Sequence, residues 1–480
     1  MTPDRFIEVE RNGEFTVCEK QKKSPVMMKD MTVGSPIRLI LSFAAPLFIG
    51  NIFQQIYTMV DTMEMGYFVG DDAISAIGAA SSLYNLLMSL IISMNSGYAI
   101  IVTQAFGGRD REKLRQSIAG TAVLNAGMTV LVTVGALLFL RPLLRFMNTP
   151  EEIFNQSFVY MLILCAGLFT TVGYNMFASI LRAVGNSRTP LYILIISSIV
   201  NVLLDLFLIV VLNLGVIGTA LGTVLAQVLS ALLCGWVLLR DYRALLPQKG
   251  DLYASRTLWP QLLSSGTAMA LMMCVVNLGT LIFQRANNVL GESVIAAHTA
   301  ARKIIEAFMQ PLGTIATANS TFVSQNWGAG KYRRIQTTLR KVMGLEVLWG
   351  VIACGIVYLI DEPLIRLITG TQNENIIANG VLAMRVSLPF FPILGVLLCL
   401  RTAMQSMGYK AAPVASSCVE LTMKGIGAAL LIPVYGYFGT SITEPLTWTI
   451  MTAFLMVVYL LQRKKIFSEQ YHIDSREVKA

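Results

Sequence analysis

Long apolar runs alternate with short polar segments along almost the whole chain. Twelve runs are long enough to cross the roughly 30 Å of membrane hydrocarbon as helices, which rise about 1.5 Å per residue. They cover residues 38–66, 74–106, 117–140, 156–181, 190–212, 216–239, 260–285, 294–324, 342–360, 376–400, 411–433 and 438–461. The weak alternating pattern of a membrane barrel is absent. The pattern therefore predicts an all-α membrane protein with twelve transmembrane helices.

Composition and charge agree with this prediction and indicate an orientation. The chain is 55% hydrophobic and 14% charged, with a net charge of +9. Basic residues cluster before the first run, after the last, and in the segments 109–115, 240–249 and 331–341. Because cytoplasmic loops are enriched in Lys and Arg, we expect a multi-pass protein of the cytoplasmic membrane with both termini in the cytoplasm. This enrichment accounts for the positive net charge, so we expect no nucleic-acid partner and only weak attraction to anionic lipids.

The chain also contains an internal repeat. VTQAFGGRDREKLRQ (102–116) matches VSQNWGAGKYRRIQT (323–337) at a shift of 221 residues, which also pairs Gly70 with Gly291 and Gly215 with Gly436. A shift of 223 pairs LRAVGNSRTP (181–190) with MQSMGYKAAP (404–413). Chance matching among Gly-rich helices is the alternative. The repeat predicts two six-helix bundles, and because six is even, both bundles enter the membrane from the same side.

The repeat gives a set of expected domain boundaries. We expect a cytoplasmic N-terminal tail (1–36), an N-terminal lobe (37–240), a cytoplasmic linker (241–258), a C-terminal lobe (259–461) and a cytoplasmic C-terminal tail (462–480). The GAGK in the second copy does not indicate a phosphate loop. A Walker loop requires Gly and Ser or Thr where this chain has Gln325 and Tyr332. We expect no cofactor and no enzymatic activity.

Polar residues lie at helical spacing within two of the first-half runs. NIFQQIYTMVDTMEMG places Asn51, Gln54, Thr58 and Asp61 three and four residues apart, hence on one face of a helix. In SSIVNVLLDLFLIV, Asn201 and Asp205 are four apart. A charge in mid-membrane costs roughly 2.5–3.5 kcal/mol and commonly marks a transport pathway. Asp61 and Asp205, which we take as the only carboxylates in the apolar body of this half, could share a proton or bind a cation.

The second half carries different charges. Asp61 corresponds to Ile282 at a shift of 221, while the eighth run contains Arg302, Lys303 and Glu306, and the eleventh contains Glu420 and Lys424. Opposite charges at a spacing of four neutralise one another on a helix, which favours structural pairing. A role in a polar site of the C-terminal lobe stays open for Lys303, Glu306, Glu420 and Lys424. A role in a polar cavity stays open for Asn51, Gln54 and Thr58 of the N-terminal lobe.

Several of these motifs together resemble one family. The pattern from Gln54 and Tyr57 through Val60-Asp61 to Gly66 and Gly70, then LRAVGNSRTP, NxxxD, GVIGTALGTVLAQ and SQNWGAGK, is similar to the multidrug and toxic compound extrusion (MATE) transporters of the MOP flippase superfamily. The resemblance covers residues 34 to 461. It implies two six-helix lobes in a V and efflux driven by entry of protons or sodium ions.

The resemblance also implies a coupling site. In DinF-like members an acidic cation site lies in the N-terminal lobe; carried over, it comprises Asp61, Asn201, Asp205 and Thr223, with Tyr57 nearby. Na⁺ at the first four residues is the one metal ion that we consider. NorM-like members also use acids in the seventh and tenth spans, and those spans have none here, which favours the DinF-like branch.

The expected function is secondary active efflux of multiple drugs, by antiport against H⁺ or Na⁺ with alternating access. The expected partners are small, cationic and amphipathic molecules together with membrane lipids, and the expected state is a monomer. The nearest alternative is a flippase for lipid-linked precursors or polysaccharide, which needs a more cationic cavity. A channel or a membrane-embedded enzyme is less consistent with the doubled layout and the scattered charges.

Overall fold

A computed structural model describes residues 5–9, 15–19, 28–147 and 149–477. Two short antiparallel strands, β1 (Arg5–Val9) and β2 (Phe15–Glu19), precede a chain that is otherwise helical. The structure divides into two compact units, Met1–Gly34 with Ala45–Ala270, and Ser35–Ala44 with Leu271–Ala480. The predicted all-α membrane fold is confirmed.

The first unit is built mainly from eight α-helices. They are α1 (Pro36–Phe68), α2 (Asp71–Gly107), α3 (Arg111–Phe146), α4 (Glu151–Ala166), α5 (Leu168–Ala183), α6 (Arg188–Leu206), α7 (Val216–Asp241) and the short α8 (Lys249–Ala254). A π-helix, Phe207–Val211, continues α6, and 3₁₀ turns at Arg243–Leu245 and Ser255–Leu258 flank α8. The apolar core between α2, α3, α4 and α7 contains Ile91, Leu140, Met161 and Ala220.

The second unit repeats this arrangement. Its helices are α9 (Trp259–Asn288, shared with the first unit), α10 (Glu292–Gly328), α11 (Tyr332–Thr369), α12 (Glu374–Ser387), α13 (Phe391–Ser406), α14 (Ala411–Ile426), α15 (Ile432–Tyr435) and α16 (Tyr437–Glu477). A 3₁₀ turn, Leu388–Phe390, joins α12 to α13, and a π-helix, Gly427–Leu431, joins α14 to α15. The predicted C-terminal tail continues α16 as far as Glu477.

The number of membrane-spanning helices is lower than predicted when only length and apolarity are counted. Ten helical segments of the described chain qualify, or eleven if α4 and α5, bent by 46° at Gly167, form one span. A side chain at Gly167 would run into Val224, so the glycine permits a close approach of α7 at the bend. The α10 helix has 37 residues but does not qualify, because charged and polar residues dilute its apolar character.

The backbone confirms the repeat in detail. Gly70 and Gly291, with φ of 108° and 97°, precede α2 and α10, and both helices have 37 residues. Gly215 and Gly436, with φ of 52° and 56°, precede α7 and α16. Such angles strongly favour glycine, so each half places it at the same turn. Each half also has one π-helix, at the end of α6 and of α14.

The predicted linker and part of the N-terminal tail fold against the first unit. Arg115 forms a salt bridge of 3.2 Å with Asp251 of α8. The amide of Lys29 donates to the carbonyl of Val184 at 3.3 Å, and Met31 is fully buried. These contacts fix the ends of α3 and α5 on the side of the unit that carries the basic segments.

Candidate functional site

The end of α6 positions an acidic group in the interior of the first unit. Asp205 is 1% exposed, and neither carboxylate oxygen has a hydrogen-bond partner among the described residues. Asn201, one turn earlier, is equally buried, and its amide atoms likewise lack a partner there. The π-helix begins two residues after Asp205, and such irregular turns are frequent at functional sites.

A glycine of α7 makes the space for this carboxylate. A Cβ built at Gly222 would overlap Oδ1 of Asp205 and lie 3.0 Å from its Cγ. The same Cβ would lie 3.5 Å from Nδ2 of Asn201, so both polar side chains reach the surface of α7 at Gly222. A larger residue at this position would displace the acid.

The α1 helix contributes two further carboxylates. Asp61 is half-buried with an enclosed Oδ1, and Glu64, three residues later on the same face, is 7% exposed with an enclosed Oε2. Asp205 interacts electrostatically with both. Within the described ranges no salt bridge joins any of the three to a basic side chain. The first unit therefore contains a cluster of acidic groups that have no counterion among the residues that the structure describes.

Hydroxyl groups complete the cluster. Tyr57 of α1 lies beside Thr223 of α7 and interacts with Asp61 and Asp205. Tyr160 of α4 is 6% exposed and interacts with the same two aspartates. The structure thus brings together the five residues predicted for the coupling site, and adds Glu64 and Tyr160. We call these seven residues the acidic cluster.

The composition of the acidic cluster limits what it can bind. Carboxylate, amide and hydroxyl oxygens are ligands preferred by hard cations rather than by soft transition metals. Three neighbouring carboxylates in an apolar surrounding cannot all remain charged without compensation, because each isolated charge carries a large desolvation penalty. The cluster is therefore suited to exchange protons or to hold a small hard cation.

One statement made from the sequence is wrong. Asp61 and Asp205 are not the only carboxylates in the body of the first half, since Glu64 is buried beside them. Its spacing of three from Asp61 was a signal that places both on one helical face. Tyr160 carried no such signal, because it comes from a different helix.

The remaining polar residues of the α1 stripe do not join the acidic cluster. Asn51, Gln54 and Thr58 are exposed, and the Thr58 hydroxyl donates to the backbone carbonyl of Gln54 at 2.9 Å. Asp61 turns inward at the point where Tyr57 and Glu64 also pack against the unit. Of the four residues predicted to share one inward face, Asp61 therefore faces inward, whereas Asn51, Gln54 and Thr58 are exposed.

The charges of the second unit form the expected ion pairs and an additional one. Arg302 pairs with Glu306 at 2.8 Å, and Lys424 pairs with Glu420 at 3.0 Å. Arg302 also binds Glu444 of α16 at 2.5 Å, a pair that the sequence did not indicate. Lys303 is exposed, because it lies about 100° around α10 from Arg302.

A further carboxylate was missed in the second unit. Glu346 of α11 is fully buried against Gly395, and neither of its oxygens has a hydrogen-bond partner among the described residues. It lies within an apolar stretch of the helix and carried no helical pairing signal.

Known proteins share both the sequence pattern and the fold. The chain is 26% identical over 370 residues to a probable multidrug resistance protein, YoeA, of Bacillus subtilis, which covers 75% of this chain and 79% of the relative. It is 24% identical over 335 residues to the probable multidrug resistance protein NorM of Thermotoga maritima, covering 69% and 72%. It is 22% identical over 355 residues to the DNA damage-inducible protein F of Escherichia coli, covering 72% and 76%.

Solved structures agree with this likeness. A MATE crystal structure in the bent conformation superposes with a TM-score of 0.84 at 19% identity, over 92% of this chain and 98% of that chain. An outward-facing multidrug resistance MATE transporter of the MOP superfamily gives 0.84 at 19% identity, over 94% and 100%. The MatE family itself matches residues 46–207 and 268–430, one match in each half of the repeat. The chain therefore belongs to the MatE family of membrane transporters.

Proposed function

We propose that this protein is a secondary active multidrug exporter that moves small amphipathic cations out of the cell in exchange for H⁺ or Na⁺. The observation that carries this proposal is the acidic cluster, in which Asp61, Glu64 and Asp205 lie together without a salt bridge to a basic side chain of the described chain. A cation that enters a cluster of this kind lowers its free energy. It therefore links ion binding to the packing of α1 against α6 and α7.

The driving force is sufficient without nucleotide hydrolysis. A single charge that crosses a membrane potential of 100 mV releases about 2.3 kcal/mol, which supports a solute gradient of about fifty-fold. For a cationic substrate, a one-for-one exchange moves no net charge and is driven by the concentration gradient of the ion alone, so use of the potential requires at least one ion more than the charge carried out. The ion and a cationic substrate would compete for the same carboxylates, so binding of either releases the other.

The proposed substrate class follows from the cluster and from the relatives. Four of the similar proteins are named as probable multidrug resistance proteins, and an uncompensated acidic site favours organic cations. We place the protein in the cytoplasmic membrane with both ends in the cytoplasm, acting as a monomer, and assign it to the DinF-like branch. The flippase alternative has less support, since the basic side chains that line the cavity of the second unit share it with three carboxylates, Glu306, Glu420 and Glu444.

The decisive experiment neutralises the aspartates of the acidic cluster one at a time. Asp61→Asn and Asp205→Asn preserve shape, and removal of an unpaired buried charge does not weaken folding. Each protein is reconstituted into vesicles with an imposed H⁺ or Na⁺ gradient, and uptake of ethidium is measured. We expect each substitution to lower gradient-driven transport at least tenfold. Asp110→Asn is the matched control, because Asn caps the start of α3 as well as Asp does.

The double variant tests whether the aspartates act as one unit. Residues that share one ion give non-additive losses, so the double variant is expected to transport no worse than either single variant. Normal coupled transport by Asp61→Asn and Asp205→Asn at normal expression would refute the proposed coupling site. Transport driven by ATP alone, with every gradient collapsed, would refute antiport itself.

A further inference from the structure

The second unit contains a charged cavity that the proposed ion coupling does not use. It has a volume of about 190 Å³ and lies between α9, α10, α13, α14 and α16. Three basic side chains line it, Arg302, Arg401 and Lys424, together with three carboxylates, Glu306, Glu420 and Glu444. The rest of its wall is apolar and includes Leu394, Leu397, Leu398, Trp448 and Met451. We call it the charged cavity.

The six charged groups that line the charged cavity balance formally, but its more enclosed part has three cations and only two carboxylates. Glu420 and Glu444 are 13% and 15% exposed, whereas Glu306 is 50% exposed and therefore screened by its surroundings. All three cations face the two enclosed carboxylates. Arg302 has Glu444 at 2.5 Å and Lys424 has Glu420 at 3.0 Å. The third cation, Arg401, is left without a close carboxylate of its own.

The hydrogen bonds of Arg401 also show that this side chain lacks acceptors. Its nearest carboxylate oxygen is Oε2 of Glu420, at 3.9 Å, while Oε1 of the same carboxylate lies 3.0 Å from the ammonium of Lys424. One terminal nitrogen donates to the hydroxyl of Ser417, and Nε has no partner among the described residues. The side chain is 11% exposed. Leaving a donor of a buried guanidinium unsatisfied is costly, so an anionic acceptor placed there would be strongly favoured.

The repeat explains why this cavity differs from the acidic cluster. At the two shifts that align the halves, Asn201 corresponds to Lys424 and Thr223 corresponds to Glu444. Neutral oxygen ligands in the first unit are thus replaced by an ammonium and a carboxylate in the second. Lys424 supplies a cation from the protein itself, and the cavity is left to attract an anion.

We propose that the charged cavity binds a small organic monocarboxylate, with the carboxylate on Arg401 and an apolar body against Leu397 and Trp448. A monoanion matches the excess of one charge, and the planar guanidinium fork fits a carboxylate. The apolar wall selects for a hydrocarbon or aromatic body. This binding site goes beyond ion-coupled export and does not depend on it, because it can be measured at equilibrium without any gradient.

The test compares three probes that share one body. 4-Phenylbutyrate, 4-phenylbutanol and 4-phenylbutylammonium are titrated calorimetrically into the purified full-length protein in lipid nanodiscs. We expect the carboxylate to bind at least tenfold more tightly than the alcohol, and the ammonium to bind no better than the alcohol. Equal affinity for the carboxylate and the alcohol, or preference for the ammonium, overturns the proposal.

Two substitutions locate the site. Arg401→Gln is expected to weaken binding of 4-phenylbutyrate at least tenfold, while Arg366→Gln, in an exposed ion network outside the cavity, leaves it unchanged. If Arg401→Gln does not fold, Glu420→Gln tests the same site, because this substitution is expected to raise the affinity for 4-phenylbutyrate. It removes the acceptor that competes for Arg401 and Lys424, so binding of the carboxylate is expected to tighten severalfold. Unchanged or weaker binding by a folded Glu420→Gln protein overturns the proposal.

Two further experiments ask whether the carboxylate comes from the membrane or from water, and whether the site is independent of the acidic cluster. Oleate included in the nanodisc displaces 4-phenylbutyrate if the carboxylate comes from the membrane, and leaves it bound if the carboxylate comes from water; both results support a carboxylate site. Asp205→Asn is expected to bind 4-phenylbutyrate normally even when transport is lost. Loss of carboxylate binding in that variant would place the site in the first unit and overturn the proposal.

Discussion

Gly222 offers the most direct test of how the acidic cluster is built. An alanine there would place a methyl group on Oδ1 of Asp205 and 3.0 Å from Cγ, which is closer than van der Waals contact allows. Overpacking of this kind costs about 1–3 kcal/mol. Replacing a helical glycine by alanine returns roughly 0.5–1 kcal/mol of helix propensity. The net effect on the free energy of unfolding is therefore small, and the effect on the carboxylate position is large.

Under the proposed coupling, we expect transport to respond to the carboxylate position rather than to the net stability. If the carboxyl group rotates away to relieve the overlap, it loses its place beside Asp61. A loss of 1–3 kcal/mol in ion binding corresponds to roughly 5- to 150-fold. We therefore expect Gly222→Ala to reduce gradient-driven ethidium uptake by at least fivefold while the melting temperature changes by only a few degrees.

The control and the rescue identify the cause. Gly127→Ala in α3 adds the same methyl group where no other atom lies within 4 Å, so it should be neutral or stabilising. In an Asp205→Ala background, Gly222→Ala should behave like Gly127→Ala in thermal unfolding, because the carboxylate that it contacts is gone. Wild-type transport by Gly222→Ala, with the same ion dependence, would show that the carboxylate does not need its present position.

Three other substitutions give independent checks. Glu64→Gln should slow ion-driven transport about tenfold in the vesicle assay, the equivalent of roughly 1.4 kcal/mol, since it removes one charge from the acidic cluster; full activity would exclude Glu64 from coupling. Glu346→Gln should keep transport and raise or preserve the melting temperature, because it removes a buried charge that has no hydrogen-bond partner in the described chain; loss of transport would instead assign it a function. Tyr242→Phe should lower the free energy of unfolding by about 1 kcal/mol, since it removes the acceptor of a 2.8 Å hydrogen bond from Asn186. Burial raises the pKa of Tyr242 to about 12, so its contribution should be constant below pH 10 and be lost as the pH rises from 10 through 12, as measured by denaturation at several pH values.

Local patterns in the sequence carried most of what could be predicted. The apolar runs gave the helices because a membrane span needs a continuous apolar length, and the shift of 221 gave the repeat, down to the turns at Gly70 and Gly291. The pair Glu420 and Lys424 was predictable because four residues make one helical turn. Asn201 and Asp205 were found for the same reason.

Contacts between distant segments could not be predicted in this way. Arg302 and Glu444 are 142 residues apart, so nothing in either local pattern pairs them. The interaction of Tyr160 with the aspartates depends on the position of α4, which packs against α2, α3 and α7. The bend at Gly167 depends on the close contact with Val224 of α7, and a glycine in an apolar run does not by itself predict a bend. Each of these features is fixed by packing rather than by spacing.

The two halves share one backbone arrangement but differ in where they place buried acids, and one contact between helices shows the difference. In the first unit Asp205 reaches α7 where Gly222 has no side chain, whereas in the second unit a Cβ at Gly427 would meet Thr443, the residue that corresponds to Gly222. At the shift of 223 that pairs Asn201 with Lys424, Asp205 corresponds to Ala428, so the second unit has no acid at this point. Its acids, Glu420 and Glu444, pair with basic side chains instead. Under the proposed coupling, an entering cation is therefore stabilised in the first unit, where Asp61, Glu64 and Asp205 have no salt bridge to a basic side chain of the described chain.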